Sequence, residues 1–211
     1  MYFVARNTSP KAESALPRLN QWLNRTLRSI VPKTPTIRTL KGHTDSVRTV
    51  AVTADGHRAV STSYDGTLRL WDLGTGQVIR TFKGETGWVY NLAVMPDGRS
   101  AVSASDYNTL RVWDLESGQT VRTLRGHTNS VEAVAVTPDG RCAVSASNDR
   151  TLRVWNLESG KEVATFTGDD HMGSCAIAPD GRTIVAGDRS GRMHFLGLVE
   201  ADKTKPLQSA K

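Results

Sequence analysis

Apolar residues between positions 47 and 198 fall in short stretches separated by turn-forming residues. The stretches are rich in Val, Leu, Ile, Thr and Ser, residues that suit strands packed on both faces, and they lack helical spacing. In the first group the predicted strands are Val47–Val52, Arg58–Ser63, Thr67–Leu73 and Gln77–Phe82. This pattern predicts an all-β domain built from short strands.

Tight turns are predicted wherever aspartate precedes glycine, because glycine adopts the positive φ that a tight hairpin requires. Four such pairs occur, namely Asp55-Gly56, Asp97-Gly98, Asp139-Gly140 and Asp180-Gly181. Glycines at 76, 118 and 160 are expected to serve the turn between the third and fourth strands of each group. The hairpins therefore recur at regular intervals.

The strand pattern is a repeat. Trp71, Trp113 and Trp155 are spaced by 42 residues, and Phe195 follows 40 residues after Trp155. Each unit contains a glycine-led loop, an apolar strand, an Asp-Gly turn, a strand of small residues, a polar turn and an aromatic-bearing strand. A period of about forty residues with four strands per unit is typical of a propeller blade. The sequence thus predicts four repeated sheets.

The two ends of the chain differ from the repeats. Residues 1–35 are expected to form a basic extension with one amphipathic helix, Pro17–Ile30, because apolar residues recur there at steps of three and four. Pro32 and Pro35 would end this helix. Residues 200–211 are polar and lysine-rich, and they are expected to be disordered.

The net charge of +6 resides in residues 1–39, which hold seven basic side chains and one acidic one, while the remaining residues hold twenty of each. Basic surfaces attract phosphate groups. Because the excess charge is confined to the extension, nucleic acid is not expected to be the partner of the repeats.

Cys142 and Cys175 lie 33 residues apart without a CxxC spacing, which predicts neither a disulfide framework nor a zinc site. No apolar run has the length of a secretion signal or a membrane span. We expect a soluble, cytoplasmic protein with no metal, no cofactor and no membrane partner.

The motifs of the first and third units resemble the WD40 family. The first unit contains Gly42-His43, Asp65 and Trp71-Asp72, and the third repeats them as Gly126-His127, Asp149 and Trp155-Asn156. The resemblance covers residues 36–198 and implies a β-propeller of four blades, each a four-stranded antiparallel sheet. The expected repeats are 36–77, 78–119, 120–161 and 162–199.

The resemblance also implies a buried hydrogen-bonded tetrad in each complete blade. By position, these are His43, Ser63, Asp65 and Trp71 in blade one, and His127, Ser147, Asp149 and Trp155 in blade three. Leaving one buried partner unpaired costs more free energy than such a bond contributes, so the four types are expected together. His, Ser and Asp also form catalytic triads, but a set that occurs twice, each with a Trp donor, favours a structural role. We expect no enzymatic activity.

Blades two and four depart from this pattern. Blade two has Glu85 at the His position and Tyr107 at the Asp position, so its tetrad is not expected to form. Blade four has Asp169 after its glycine, Arg189 at the turn position and Phe195 in place of Trp. A terminal repeat is often atypical.

The order of strands leaves the closure of the propeller open. The chain is expected to begin with a fourth-strand equivalent, Thr36–Leu40, and to end with a third strand near Met193–Leu198. One chain could close a four-bladed ring, or two chains could join head to tail into a homodimer with eight blades. The repeats are also similar to the C-terminal WD repeats of bacterial nucleotide-binding signalling ATPases, and the chain could be part of a longer polypeptide of that kind.

Function is expected to be that of a protein-interaction scaffold or sensor surface. Partners of such propellers often meet the top face, where the loops entering each blade and the turns before each third strand gather. By position, the expected top-face residues are Ser46, Arg48, Tyr64, Trp88, Tyr90, Asp106, Ser130, Glu132, Asn148 and His171. Trp88 and Tyr90 resemble interface anchors, or Trp88 packs against the neighbouring blade. The alternative is nucleic-acid or anionic-surface binding by the basic helix through Arg18, Arg25 and Arg28.

Overall fold

The computed structural model describes residues 38–83, 87–105 and 107–198 of the chain. These residues form fifteen β-strands and no helix, so the predicted all-β class is confirmed. None of the described residues forms a helix that could cross a lipid bilayer. The predicted helix Pro17–Ile30 and the predicted disordered tail 200–211 lie outside the described residues.

The strands form four sheets, which we call blades one to four. Blade one contains β1 (Val47–Val52), β2 (Arg58–Ser63), β3 (Leu68–Asp72) and β4 (Val78–Phe82). Blade two contains β5 (Val89–Val94), β6 (Ser100–Ser105), β7 (Thr109–Asp114) and β8 (Thr120–Arg125). Blade three contains β9 (Val131–Val136), β10 (Cys142–Ser147), β11 (Thr151–Asn156) and β12 (Glu162–Thr167). Blade four contains β13 (Met172–Ile177), β14 (Thr183–Asp188) and β15 (Met193–Gly197).

Every blade is an antiparallel meander with its strands in chain order. The register is the same in blades one to three: the third-strand tryptophan lies opposite an alanine of the second strand, in the pairs Ala59–Trp71, Ala101–Trp113 and Ala143–Trp155. The four Asp-Gly turns contain the predicted positive φ, from 64° at Gly98 to 72° at Gly56. The 42-residue spacing thus sets the same local geometry three times.

Blade four corrects one sequence assignment. Phe195 was expected at the tryptophan position, but Leu196 lies there, opposite Ile184, as Trp155 lies opposite Ala143. Phe195 lies opposite Val185 and therefore points to the other side of the sheet, because side chains alternate along a strand. The third strand of this blade follows that of blade three by 41 residues, and a difference of one residue exchanges the two sides.

The predicted strand Thr36–Leu40 is described only at residues 38–40, which form no strand. Among the described residues, the sheet of blade four has three strands. The expected addition of Thr36–Leu40 as its outer strand is therefore absent from the part of the segment that the structure describes.

The hydrophobic core lies between successive blades. The first strands β1, β5, β9 and β13 neighbour one another in that order. Between blades one and two, Leu70 and Phe82 pack in one apolar cluster with Leu92 and Trp113. A second cluster joins blades two and three, and two smaller ones join blades three and four. Blade stacking, more than any single sheet, buries the apolar residues.

Candidate functional site

A chain of hydrogen bonds joins histidine, serine, aspartate and tryptophan in blade one. Trp71 Nε1 donates to Ser61 Oγ at 2.7 Å, Ser61 Oγ lies 2.7 Å from His43 Nε2, and His43 Nδ1 lies 2.8 Å from Asp65 Oδ2. With the proton on Nδ1, every donor in this chain has an acceptor. The arrangement therefore satisfies all four buried polar groups.

Blade three repeats this geometry. Trp155 Nε1 donates to Ser145 Oγ at 2.8 Å, Ser145 Oγ lies 2.7 Å from His127 Nε2, and His127 Nδ1 lies 2.7 Å from Asp149 Oδ2. Ser145 is fully buried. A substrate cannot reach its hydroxyl, so the arrangement acts as a structural clamp between strands.

The serine of each tetrad differs from the one assigned by sequence. Ser61 and Ser145 occupy the position expected for Ser63 and Ser147. Both serines of each strand lie on the same side as the tryptophan, but Ser63 is four residues beyond Ala59, the residue opposite Trp71, which is about 13 Å along a strand. The hydroxyl of Ser63 donates instead to Asp45 O and accepts the N–H of Asp65.

Glycine precedes each tetrad histidine because no side chain fits there. A Cβ atom on Gly42 would lie 2.9 Å from the Trp71 ring, and one on Gly126 would lie 3.0 Å from the Trp155 ring. Contacts this short require the indole to move. The Gly-His motif thus follows from the packing of the loop on the tryptophan.

Burial and hydrogen bonding set the charge state of the tetrads. Burial by itself would raise the pKa of the Asp149 carboxyl, but hydrogen bonds from Thr151, the Thr128 N–H and His127 lower it to about 2. The same kind of bonding holds the pKa of Asp65 well below its usual range. Burial lowers the pKa of His127, against the opposing effect of Asp149. At neutral pH the clamp contains an ionised carboxylate and a neutral imidazole.

We expect the protein to lose stability as the pH falls. His127 has a folded pKa below its ordinary 6.5, so its contribution is complete above that pH and decreases below it. Asp149 contributes fully above its ordinary pKa of 3.8, and this contribution is lost as the pH falls toward 2. Chemical denaturation between pH 8 and pH 2 measures both losses. Asp149→Asn should flatten the lower limb, and an unchanged slope below pH 4 would contradict this assignment.

Blade two retains part of the tetrad. Trp113 Nε1 donates to Ser103 Oγ at 2.9 Å, as in the other blades. Tyr107, at the Asp position, is an exposed side chain, whereas Glu85 lies outside the described residues. Tyr107 was not among the residues expected on the surface, although the loss of the aspartate was a signal for it.

A repeated backbone hydrogen bond brings the predicted top-face residues to one end of the blades. The N–H of the turn before the third strand donates to a carbonyl of the loop entering the first strand: Tyr64 to Ser46 at 3.1 Å, Asn148 to Ser130 at 3.0 Å and Arg189 to His171 at 3.0 Å. Asp106, the corresponding turn residue of blade two, lies outside the described residues.

Four of these residues come together in what we call the aromatic patch, consisting of Arg48, Tyr64, Trp88 and Tyr90. The Tyr64 ring lies 5.0 Å from that of Trp88 and 6.3 Å from that of Tyr90, centre to centre. The Arg48 guanidinium lies 4.9 Å above the Tyr64 ring. Trp88 is 52% exposed, while both tyrosines are half-buried. Trp88 therefore contacts the neighbouring blade and still presents half of its surface to solvent.

The remaining top-face residues form polar pairs. Asn148 Nδ2 donates to Glu132 Oε1 at 2.6 Å. His171 Nδ1 lies 3.2 Å from an amino group of Arg189. Ser46 is exposed and Ser130 is half-buried. The aromatic residues are concentrated where blades one and two meet, and Thr49 of blade one donates to Tyr90 O at 3.1 Å across that junction.

The comparison with known families agrees with this architecture. A family described as "WD domain, G-beta repeat" matches residues 34–72, 76–114, 118–156 and 160–195. The second matched range runs from the outer strand β4 of one sheet to β7 of the next. No curated protein matches the chain.

Proposed function

The chain belongs to the WD-repeat family, and from this membership we propose that it is a non-catalytic scaffold that binds a partner protein through the aromatic patch. Repeats of this family generally act as protein-interaction surfaces. The thiols of Cys142 and Cys175 are both free, which suits the reducing cytoplasm in which we place the protein.

The observation that carries this proposal is the held but exposed indole of Trp88. Contacts with Tyr64 and Tyr90 on two sides restrict the ring, so a partner pays little side-chain entropy to bind it. Half of its surface still contacts water, and burial of that surface favours association. Tryptophan, tyrosine and arginine are the residue types most often found as interface hot spots.

The patch favours a particular partner chemistry. The indole offers an apolar face, and Arg48, stacked on Tyr64, offers guanidinium donors next to it. A loop or extended peptide with an apolar side chain beside a carboxylate or a carbonyl would match both groups. We therefore infer that the partner presents such a segment to the junction of blades one and two.

Site-specific photocrosslinking tests the location of binding. A photoreactive amino acid at position 88 should capture a defined partner in cells. The same probe at position 121, where Val121 is 60% exposed on the outer strand β8, is the matched control and should not capture it. Capture of identical proteins from both positions, or none from position 88, would contradict the proposal.

The concentration of the whole net charge in residues 1–39 favours a second candidate function, in which the basic extension binds nucleic acid or an anionic surface. Arg18, Arg25 and Arg28, which lie outside the described residues, would be its contacts. This function predicts retention on DNA or anionic vesicles that decreases with salt and is lost when residues 1–35 are removed. Another copy of the chain, the other partner expected from the sequence, would bind at the end blades.

A further inference from the structure

The side of each blade that faces the preceding blade, its front face, carries the same five apolar positions. In blade two these are Val89, Leu92, Ala101, Trp113 and Leu115, and they pack on blade one. In blade three the residues 42 positions later, Val131, Val134, Ala143, Trp155 and Leu157, pack on blade two. No member of either set is more than 8% exposed. The front face is therefore built to be covered by another blade.

The front face of blade one has the same residues without the cover. Its five positions are Val47, Val50, Ala59, Trp71 and Leu73. Val47 and Val50 are 51% and 59% exposed, although their counterparts in blades two and three are buried. A groove of about 470 Å³ lies over this face and is lined by all five residues. A complete blade-receiving surface is thus open to solvent.

The opposite side of each blade, its back face, also repeats. Val60, Leu68 and Leu70 of blade one, and the residues 42 and 84 positions later, are all at most 6% exposed against the following blade. The register places Val185, Met193 and Phe195 at these positions in blade four. Met193 and Phe195 are 65% and 71% exposed. The row of blades therefore ends in an uncovered back face.

We propose that these two open faces are the halves of one further blade-to-blade joint, and that a second copy of this chain completes it. Each internal joint pairs a back face with a front face of this composition, so the internal joints define the chemistry of the occupant. One chain carries both halves and leaves both exposed within its own fold. Two copies joined head to tail bury all four open faces in two identical joints and close an eight-bladed ring.

The proposed joint pairs unlike faces. The first internal joint shows how: Phe82 on the back of blade one meets the Trp113 ring on the front of blade two at 5.8 Å. In the dimer, Phe195 and Met193 of one copy lie over Val47 and Val50 of the other. Contact between two front faces would leave both back faces exposed, so it is disfavoured.

Light scattering after size-exclusion chromatography tests the assembly with the full chain. The wild type should have twice the 23.0 kDa of one chain. Val50→Glu and Phe195→Glu, on the two open faces, should each raise the dissociation constant by about 30-fold or more, as expected for central interface residues. Val121→Glu, at an equally exposed valine outside both faces, should leave the dimer intact, and circular dichroism checks the fold of each variant. A wild-type mass of one chain, or of a long polymer, would overturn the proposal.

Mixing the two variants tests the head-to-tail direction. The Val50→Glu copy retains an intact back face and the Phe195→Glu copy an intact front face, so an equimolar mixture regains one joint. The mixture should form a heterodimer at concentrations where neither variant dimerises alone. If the mixture stays monomeric, or if one of the variants dimerises like the wild type, the joint does not pair the front face with the back face.

Discussion

Replacing Phe82 with alanine is expected to lower the free energy of unfolding by about 3–5 kcal/mol, the usual cost of removing a fully buried aromatic side chain. Phe82 is 1% exposed, and its ring lies edge-on to that of Trp113 in the next blade. The substitution removes apolar contacts from the joint between blades one and two and leaves a cavity there. The change should therefore weaken blade stacking as well as β4.

Denaturant unfolding of the purified variant measures this effect. Ile79→Ala is the matched control because Ile79 lies on the same strand and is 48% exposed. Its cost should stay near or below about 1 kcal/mol, as for a partly exposed position. Equal stability losses for the two variants would show that the joint between blades does not hold the core.

Replacing Ser145 with alanine is expected to cost about 2–4 kcal/mol, because two buried groups lose a partner at once and each loss costs about 1–3 kcal/mol. The groups are the indole N–H of Trp155 and Nε2 of His127. The methyl group of alanine can neither accept the first bond nor donate the second. Chemical denaturation measures the loss.

A second readout distinguishes the serine found in the structure from the one assigned by sequence. In an NMR spectrum, the Trp155 indole proton should exchange with solvent faster in Ser145→Ala than in the wild type. Ser147→Ala removes bonds to Asn129 O and the Asp149 N–H, so it should leave that proton protected while lowering stability. Faster indole exchange in Ser147→Ala alone would restore the sequence assignment.

The sequence predicted most of the described fold because the spacing of tryptophans and Asp-Gly turns determines strand positions. The serine was misassigned because Ser61 and Ser63 share one side of a strand. Only the register opposite Trp71 shows which serine the indole reaches. Phe195 was misassigned because an aromatic residue attracts the tryptophan assignment, whereas the pairing of Leu196 with Ile184 determines the side.

Two other features depend on which surfaces meet, and the sequence does not contain that information. Val47 and Val50 belong to the same apolar pattern as Val89 and Leu92, and yet the first pair is exposed and the second buried. The aromatic patch was predicted in part, since Trp88 and Tyr90 stood out in the second blade. That Tyr64 of blade one completes it, with Arg48 on its ring, required the stacking of two blades.

The affinity of the captured partner for patch variants tests the central claim most directly. Calorimetric titration of the partner crosslinked at position 88 should give a dissociation constant at least about ten-fold higher for Trp88→Ala than for the wild type, the effect expected of an interface anchor. Val121→Ala should bind like the wild type. If the folded Trp88→Ala and Tyr90→Ala variants also bind with wild-type affinity, the aromatic patch is not the site through which this protein holds its partner.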